Sequence, residues 1–434
     1  MTVLVISSNS ADLLEATPAS RGAAFDAKRL AERLRASYEV DLGDVAAFLP
    51  DRVPLDELPA PFDRYLSACD ELPARYPEER GGVRGWLGRE FACEDPTVTR
   101  AVARLSTGER ETLMTALSAL GHTYRWDRVP PAPARFEERR VPLPPGILAP
   151  WAALARVLDQ PRVGTTWSLH LCNWRSVDRP GGAAYRPEEL STETLRVARN
   201  WLPPPVAADL ERFSLCFVLI EARGAAVLRH VVHAIDAAAS RRLDDTWVAL
   251  EALQGAISAM TLAFSLNVRK RTVDPGTWLS LVQPTFAWSA EIDEPGRVEG
   301  GPSGMQLPTI QALDSAFGIA GESTLARSAV AGRRLMPKPH RRFLQTIDLA
   351  GPLLRRFVVD ARCDDLTQQY NRCIGGLVSF RAVHHSRALL YLRSRSDDTR
   401  RVSTGLTIGL DDDALAVVER TMSERTLETE AALL

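Results

Sequence analysis

Lysine is nearly missing from this chain: Lys28, Lys270 and Lys338 are the only three among 53 basic residues, so the positive charge is almost entirely arginine. The 55 acidic residues bring the formal net charge to -2, which excludes a global field that would draw the chain to nucleic acid or an anionic membrane. Cysteine is sparse as well. Cys69, Cys93, Cys172, Cys216, Cys363 and Cys373 contain no C-x-x-C pair, and 434 residues need no disulfide framework to hold a core. No stretch reads as apolar for long enough to span a bilayer, and the opening MTVLVISSN lacks the basic flank, long apolar run and cleavage site of an export signal. A reducing, cytoplasmic setting is therefore expected. Histidine is scarce too: His122, His170, His230, His233, His340, His384 and His385 are all there are, and none sits in an H-E-x-x-H zinc pattern.

What is present is helical periodicity. At 45% hydrophobic and 25% charged, the composition excludes disordered and fibrous classes. Prolines in PLDELPAPF near residue 55, VPPAPARF near 130 and VPLPPGILAP near 145 read as extended connectors, so the first third is expected to be rich in loops. Apolar spacing from Val98 to Leu120 predicts two helices interrupted near Thr107 and Gly108. Further helix is predicted for WAALARVLDQ and from Gly164 to Trp174, then Ala207 to Ala239, Asp244 to Val268, Thr309 to Gly318 and Leu366 to Leu392. No alternating strand pattern competes in the second half. Two long polar or Gly/Pro-rich loops start at Glu291 and Arg393.

Within QQYNRCIGGLVSFRAVHHSRALLYL, the residues Leu377, Arg381 and His384 share one helix face. An imidazole and a guanidinium one turn apart suit a haem, the first as iron ligand and the second on a propionate or a buried carboxylate. Taken alone, such a helix more often carries a surface arginine beside a half-buried histidine. His230 and His233, one turn apart with no glutamate between them, read as a solvated or core-edge pair.

The segment around His384 resembles the proximal-histidine helix of the indoleamine 2,3-dioxygenase family, and other blocks follow in family order from about Gly121. VPLPPGILAPWAALARVLDQP and LHLCNWRSVD look like the small domain, FSLCFVLIEARGAAVL the distal helix, VEGGPSGMQLPTIQALDSAFGI the glycine-rich loop and its helix, RRLMPKPHRRFL a further signature, and STGLT the mobile substrate loop. The resemblance implies a mostly α, two-domain helical haem protein, divergent within the family. Residues 1–195 would form an N-terminal extension and a small helical domain covering the distal side, and residues 196–434 a large haem-binding domain.

Carried over position by position, the resemblance makes His384 the axial ligand of haem b, with Arg381 paired to Asp314 and with Ser303 and Gly304 at the cofactor. His385 is the local competitor, rotated about 100 degrees around the helix, and His340 is structural. Phe213, Phe217, Thr166, Leu169, Trp278, Gln283, Thr404 and Gly405 would surround the substrate, an aromatic cavity being what a planar indole needs. Three positions depart from the pattern. Gln283 stands where the family keeps an arginine for the substrate carboxylate, Phe217 where it keeps a small polar residue, and Leu406 where it keeps a glycine. No acid or base is identified on the distal side.

The implied reaction inserts oxygen from dioxygen, the co-substrate, into the indole ring of tryptophan or a tryptophan-derived molecule. The departures keep open a haem-dependent rearrangement or monooxygenation of a modified indole or another aromatic, and, from another class, a non-catalytic haem or oxygen sensor. The expected partner is this small molecule, with neither nucleic acid nor membrane; a homo-oligomer is compatible with the sequence. Should an arginine of the substrate loop replace the missing contact, Arg400 and Arg401 stand nearest to Thr404.

Overall fold

The computed structural model describes residues 27–43, 45–76, 82–292, 295–319, 321–393 and 414–434. These are mostly α-helical, as the periodicity predicts. The central helix, Pro204–Ala239, opens on a run of prolines whose missing N–H groups and fixed φ suit a first turn. It buries residues on all sides, from Leu210 and Leu215 to Val231 and Ile235, and such a helix has to sit inside a bundle. A tight reversal with Arg241 in the left-handed region (φ 54°) leads into its antiparallel neighbour Leu243–Asn267. The third long helix, Asp364–Arg393, packs on that neighbour, where the Cys373 thiol lies 3.1 Å from the Leu250 carbonyl and Phe380 stands 5.6 Å from Phe264.

Leu243–Asn267 is, by length and composition, apolar enough to cross a membrane, which the sequence reading overlooked; here it lies against the two other long helices. Pro308–Ala316 reaches the central helix at Gly224, where an added Cβ would stand 2.4 Å from the Thr309 hydroxyl, so only glycine admits this approach.

Several expectations need correction. The first third carries the helices Ala27–Asp41, Asp63–Arg75 and Gly82–Glu90, which Pro73 and the glycines of GVRGWLG hide from a propensity reading. The two helices expected from Val98 to Leu120 are present, with the break at Leu105 and Ser106, where Ser106 and Glu109 form a reciprocal capping box that starts the helix Thr107–Trp126. Gly164 to Trp174 is not one α-helix. Trp167–Leu171 winds as a π-helix and the chain then enters a strand, Trp174–Ser176, paired antiparallel with Leu195–Val197. A second short ribbon, Ala290–Glu291 with Val298–Glu299, lies in the loop after Trp288. Pro337 and Pro339 open the helix Lys338–Ala350, as prolines before a helix suggest, whereas Thr324–Gly332, Pro352–Ala361 and Ala414–Glu430 are helices the periodicity did not indicate.

One apolar cluster fills the long-helix bundle and takes in Leu34 and Tyr38 of the N-terminal helix. Another surrounds Leu117, Trp151 and Trp288. Phe213 and Trp278 pack against both clusters, and the cavity opens along this seam.

Candidate functional site

The cavity measures about 280 Å³ and its wall is largely apolar, with a group of aromatic rings on it. Phe213 and Phe217 come from one face of the central helix, one turn apart, with ring centroids 5.2 Å from each other. Trp278 faces Phe213 at 5.2 Å and Tyr391 at 5.4 Å. Ser303 and Gly304 close another side, held in the glycine-rich loop that Gly301 (φ 96°) turns tightly against the Phe286 carbonyl.

His384 lines this cavity from the Asp364–Arg393 helix, 5.8 Å from Phe264 by ring centroid. It is half-buried and makes no hydrogen bond or ion pair among the described residues. Burial, with Arg381 and His385 adding to it, pushes its pKa down to about 4. His385 does not line the cavity, as its rotation about the helix predicts. His340 is also elsewhere, buried between Phe48 at 5.0 Å and Trp167 at 4.8 Å. His230 and His233 meet edge to face with ring centroids 6.5 Å apart, away from the cavity, and no cluster of metal-ligating side chains occurs among the described residues.

Arg381 donates to Asp314 Oδ1, as expected, but Asp314 has a second partner that the sequence did not reveal: Arg425 donates to its Oδ2 at 2.6 Å. Arg425 also pairs with Glu428 at 2.8 Å, and Glu428 accepts from the backbone N–H and hydroxyl of Ser323. The carboxylate at the cavity wall is thus saturated by two guanidinium groups.

Two sequence-derived pocket residues stand elsewhere. Leu169 is fully buried in the Trp151 cluster, and the π-wound turn brings its neighbour His170 to the cavity instead. Thr166 is also buried outside the wall. Its hydroxyl donates to the Ser303 carbonyl at 2.9 Å and accepts from the Ser303 N–H at 3.0 Å, while its own N–H donates to Gln306, so it fastens the glycine-rich loop. Gln283 is on the wall, 2% exposed, and its carboxamide has no hydrogen-bond partner among the described residues. Thr404, Gly405, Leu406, Arg400 and Arg401 lie outside the described residues.

His170 is the residue that sequence reasoning missed. Its ring lies parallel to Phe217 (4.4 Å, 5°) and 4.7 Å from Phe286, and its Nδ1 is sealed from solvent without a partner. Burial pushes its pKa down to about 3, so at neutral pH the ring offers one donor and one acceptor. His122 shows what a structural histidine looks like here. Its Nδ1 lies 3.1 Å from the Thr285 carbonyl and its Nε2 3.0 Å from the Gly164 N–H, which occupies both nitrogens. The adjacent Asn-Trp-Arg block was the one available signal for His170, since Asn173 locks this turn by donating to the Leu169 and Arg199 carbonyls.

An unpartnered imidazole on an aromatic cavity, flanked by a charged network and a glycine-rich loop, is the donor set a haem requires, so the residues present fit that group. Comparison with known proteins agrees with this fit. The indoleamine 2,3-dioxygenase family model matches residues 35–429. Indoleamine 2,3-dioxygenase 1 of Rattus norvegicus is 26% identical over 372 residues, covering 82% of this chain and 83% of its own. Indoleamine 2,3-dioxygenase acdA of Aspergillus candidus is 26% identical, covering 80% of this chain and 85% of its own. Indoleamine 2,3-dioxygenase of Saccharomyces cerevisiae is 25% identical, covering 78% of this chain and 76% of its own. With the family model spanning nearly the whole chain and the blocks around Asn173, Asp314 and His384 meeting at one cavity, the chain belongs to the indoleamine 2,3-dioxygenase family and is an oxidoreductase of the dioxygenase type.

Proposed function

We propose that the cavity holds haem b with His384 as the axial iron ligand and that the enzyme adds dioxygen-derived oxygen to the indole ring of tryptophan or a tryptophan-derived small molecule. The observation that carries this reading is His384 itself, an imidazole without a hydrogen-bond partner among the described residues, on the wall of an apolar cavity with aromatic rings. Haem iron supplies the activation of dioxygen that no side chain offers. Arg381 and Asp314 fix the helix that presents His384, with Arg425 completing the pairing. Phe213, Phe217, Trp278 and Phe286 exclude water and orient a planar ring by stacking and edge contacts. His170 and Gln283 are the neutral polar groups available to the substrate, and Ser303 and Gly304 border it on the loop side.

The neutral Gln283 favours a second reading, in which the substrate is a modified indole and the outcome is a rearrangement or the entry of one oxygen atom. A carboxamide cannot form the charge-assisted bidentate pair that holds an amino-acid carboxylate.

Reconstitution with haem tests the assignment. His384→Ala is expected to lose stoichiometric haem, while His385→Ala and His340→Ala keep it, as read from the absorption spectrum. A His384 variant that retains a five-coordinate, histidine-type ferrous spectrum would sink the assignment. Anaerobic spectral titration of the ferrous protein with tryptophan, tryptamine and indole then separates the two substrate readings.

A further inference from the structure

The charges around the cavity do not balance. Arg381 and Arg425 are both committed to Asp314, and Arg425 to Glu428 as well, so these four side chains sum to zero. Arg387 remains. It lines the same cavity from the Asp364–Arg393 helix, three residues beyond His384 and therefore on the same face. It is half-buried, its Nε is sealed from solvent without a partner, and no carboxylate among the described residues pairs with its guanidinium. A guanidinium is a permanent cation, so one without a paired carboxylate among the described residues is free to take an anionic group of a ligand in this cavity. Apart from Arg387 itself and the mutually paired Asp314, Arg381 and Arg425, the wall carries no charged side chain among the described residues, its two histidines being held neutral by burial, and Trp278, Tyr391 and Gln283 are among its members.

We propose that Arg387 is the carboxylate-binding residue of this cavity. Its planar fork matches a carboxylate in two parallel hydrogen bonds, which the amide of Gln283 does not. A carboxylate in this cavity has two sources, a porphyrin propionate or the carboxyl group of an amino-acid substrate. The inference rests on the haem reading above, and its test separates both sources from that reading.

The haem-depleted protein is titrated with iron protoporphyrin IX and with its dimethyl ester, and the haem-loaded protein is titrated spectrally with tryptophan and with tryptamine. For wild type and for Arg387→Gln the quantity read is each preference ratio, acid over ester and tryptophan over tryptamine. Loss of the carboxylate contact is expected to lower one ratio by roughly ten- to a hundredfold. A drop in the acid-to-ester ratio identifies a propionate, and a drop in the tryptophan-to-tryptamine ratio identifies the substrate. Arg387→Lys, which keeps the charge and loses the fork, is expected to fall between wild type and Arg387→Gln, and it serves as the folded variant should the glutamine protein prove insoluble. Both ratios unchanged in a folded variant would overturn the assignment of Arg387. Failure of the wild type to bind either porphyrin would instead sink the haem reading.

Discussion

Arg381 and Arg425 share one carboxylate, each taking a different oxygen of Asp314. The three side chains are 8 to 16% exposed, so their charges are largely desolvated and each depends on the others. Removing either arginine leaves Asp314 with one partner, whereas removing Asp314 strands Arg381 and leaves Arg425 with Glu428 alone.

Asp314→Ala should therefore destabilise the protein by about 3–5 kcal/mol, and more than Arg381→Ala, which leaves Asp314 its Arg425 partner. Urea unfolding of the three single variants measures the order. The double arginine variant should depart from additivity, since the second loss leaves the carboxylate with no partner. Equal losses from all three positions would mean that Asp314 does not act as the bridge.

His170 stacks on Phe217 without using its ring nitrogens. Replacing it by phenylalanine keeps the stack and removes the hydrogen-bonding capacity, so stability should hold while affinity for an indole with a free N–H falls about two- to tenfold, one neutral hydrogen bond being worth roughly 0.5–1.5 kcal/mol. Methylation of the indole nitrogen should cost wild type this factor and the variant nothing. If wild type tolerates the methyl group equally well, His170 does not meet the indole nitrogen.

Gln283→Arg should improve tryptophan by roughly ten- to a hundredfold and leave tryptamine unchanged, because only the first carries a carboxylate for the new guanidinium. Paired spectral titrations give the ratio directly. Efficient turnover of free tryptophan by wild type, with no change on substitution, would show that another residue already holds the carboxylate.

Glu221 supplies a pH-dependent test of the fold. It is fully buried beside Gly224, accepts from the Thr309 hydroxyl, and burial pushes its pKa up from 4.5 to about 7, with Thr309 only partly opposing the rise. Between these values the folded state binds the proton that the unfolded chain releases, so stability falls as pH rises through the window and the loss is complete above pH 7. The full effect is on the order of 3 kcal/mol. Glu221→Gln should flatten this slope, melting higher than wild type at pH 8 and no higher at pH 4.5. An unchanged slope between those pH values would show that Glu221 is not its source.

The long helices and the histidine at the cavity were legible because each leaves a local mark. Pro204–Ala239, Leu243–Asn267 and Asp364–Arg393 are periodic over many turns, and His384 shares a face with Arg381 within one of them. Arg425 left no such mark. Its partner Asp314 lies 111 residues away, and its own helix follows a polar stretch with no apolar rhythm. His170 was hidden by a backbone irregularity, since a π-wound turn changes which residue faces inward and an α-helical wheel then points to the wrong neighbour. Thr166 was placed in the pocket because of its position in the block, although its hydrogen-bonding capacity is consumed by the backbone of Ser303.

The shared carboxylate also ties together two helices that are far apart along the chain. Arg381 precedes residues 394–413 and Arg425 follows them, yet both side chains end on Asp314. The register between the Asp364–Arg393 and Ala414–Glu430 helices is thus set by an ionic clasp outside the connection itself. A change at Asp314 is therefore expected to loosen both helices at once, shifting the wall that carries His384 together with the helix that carries Arg425.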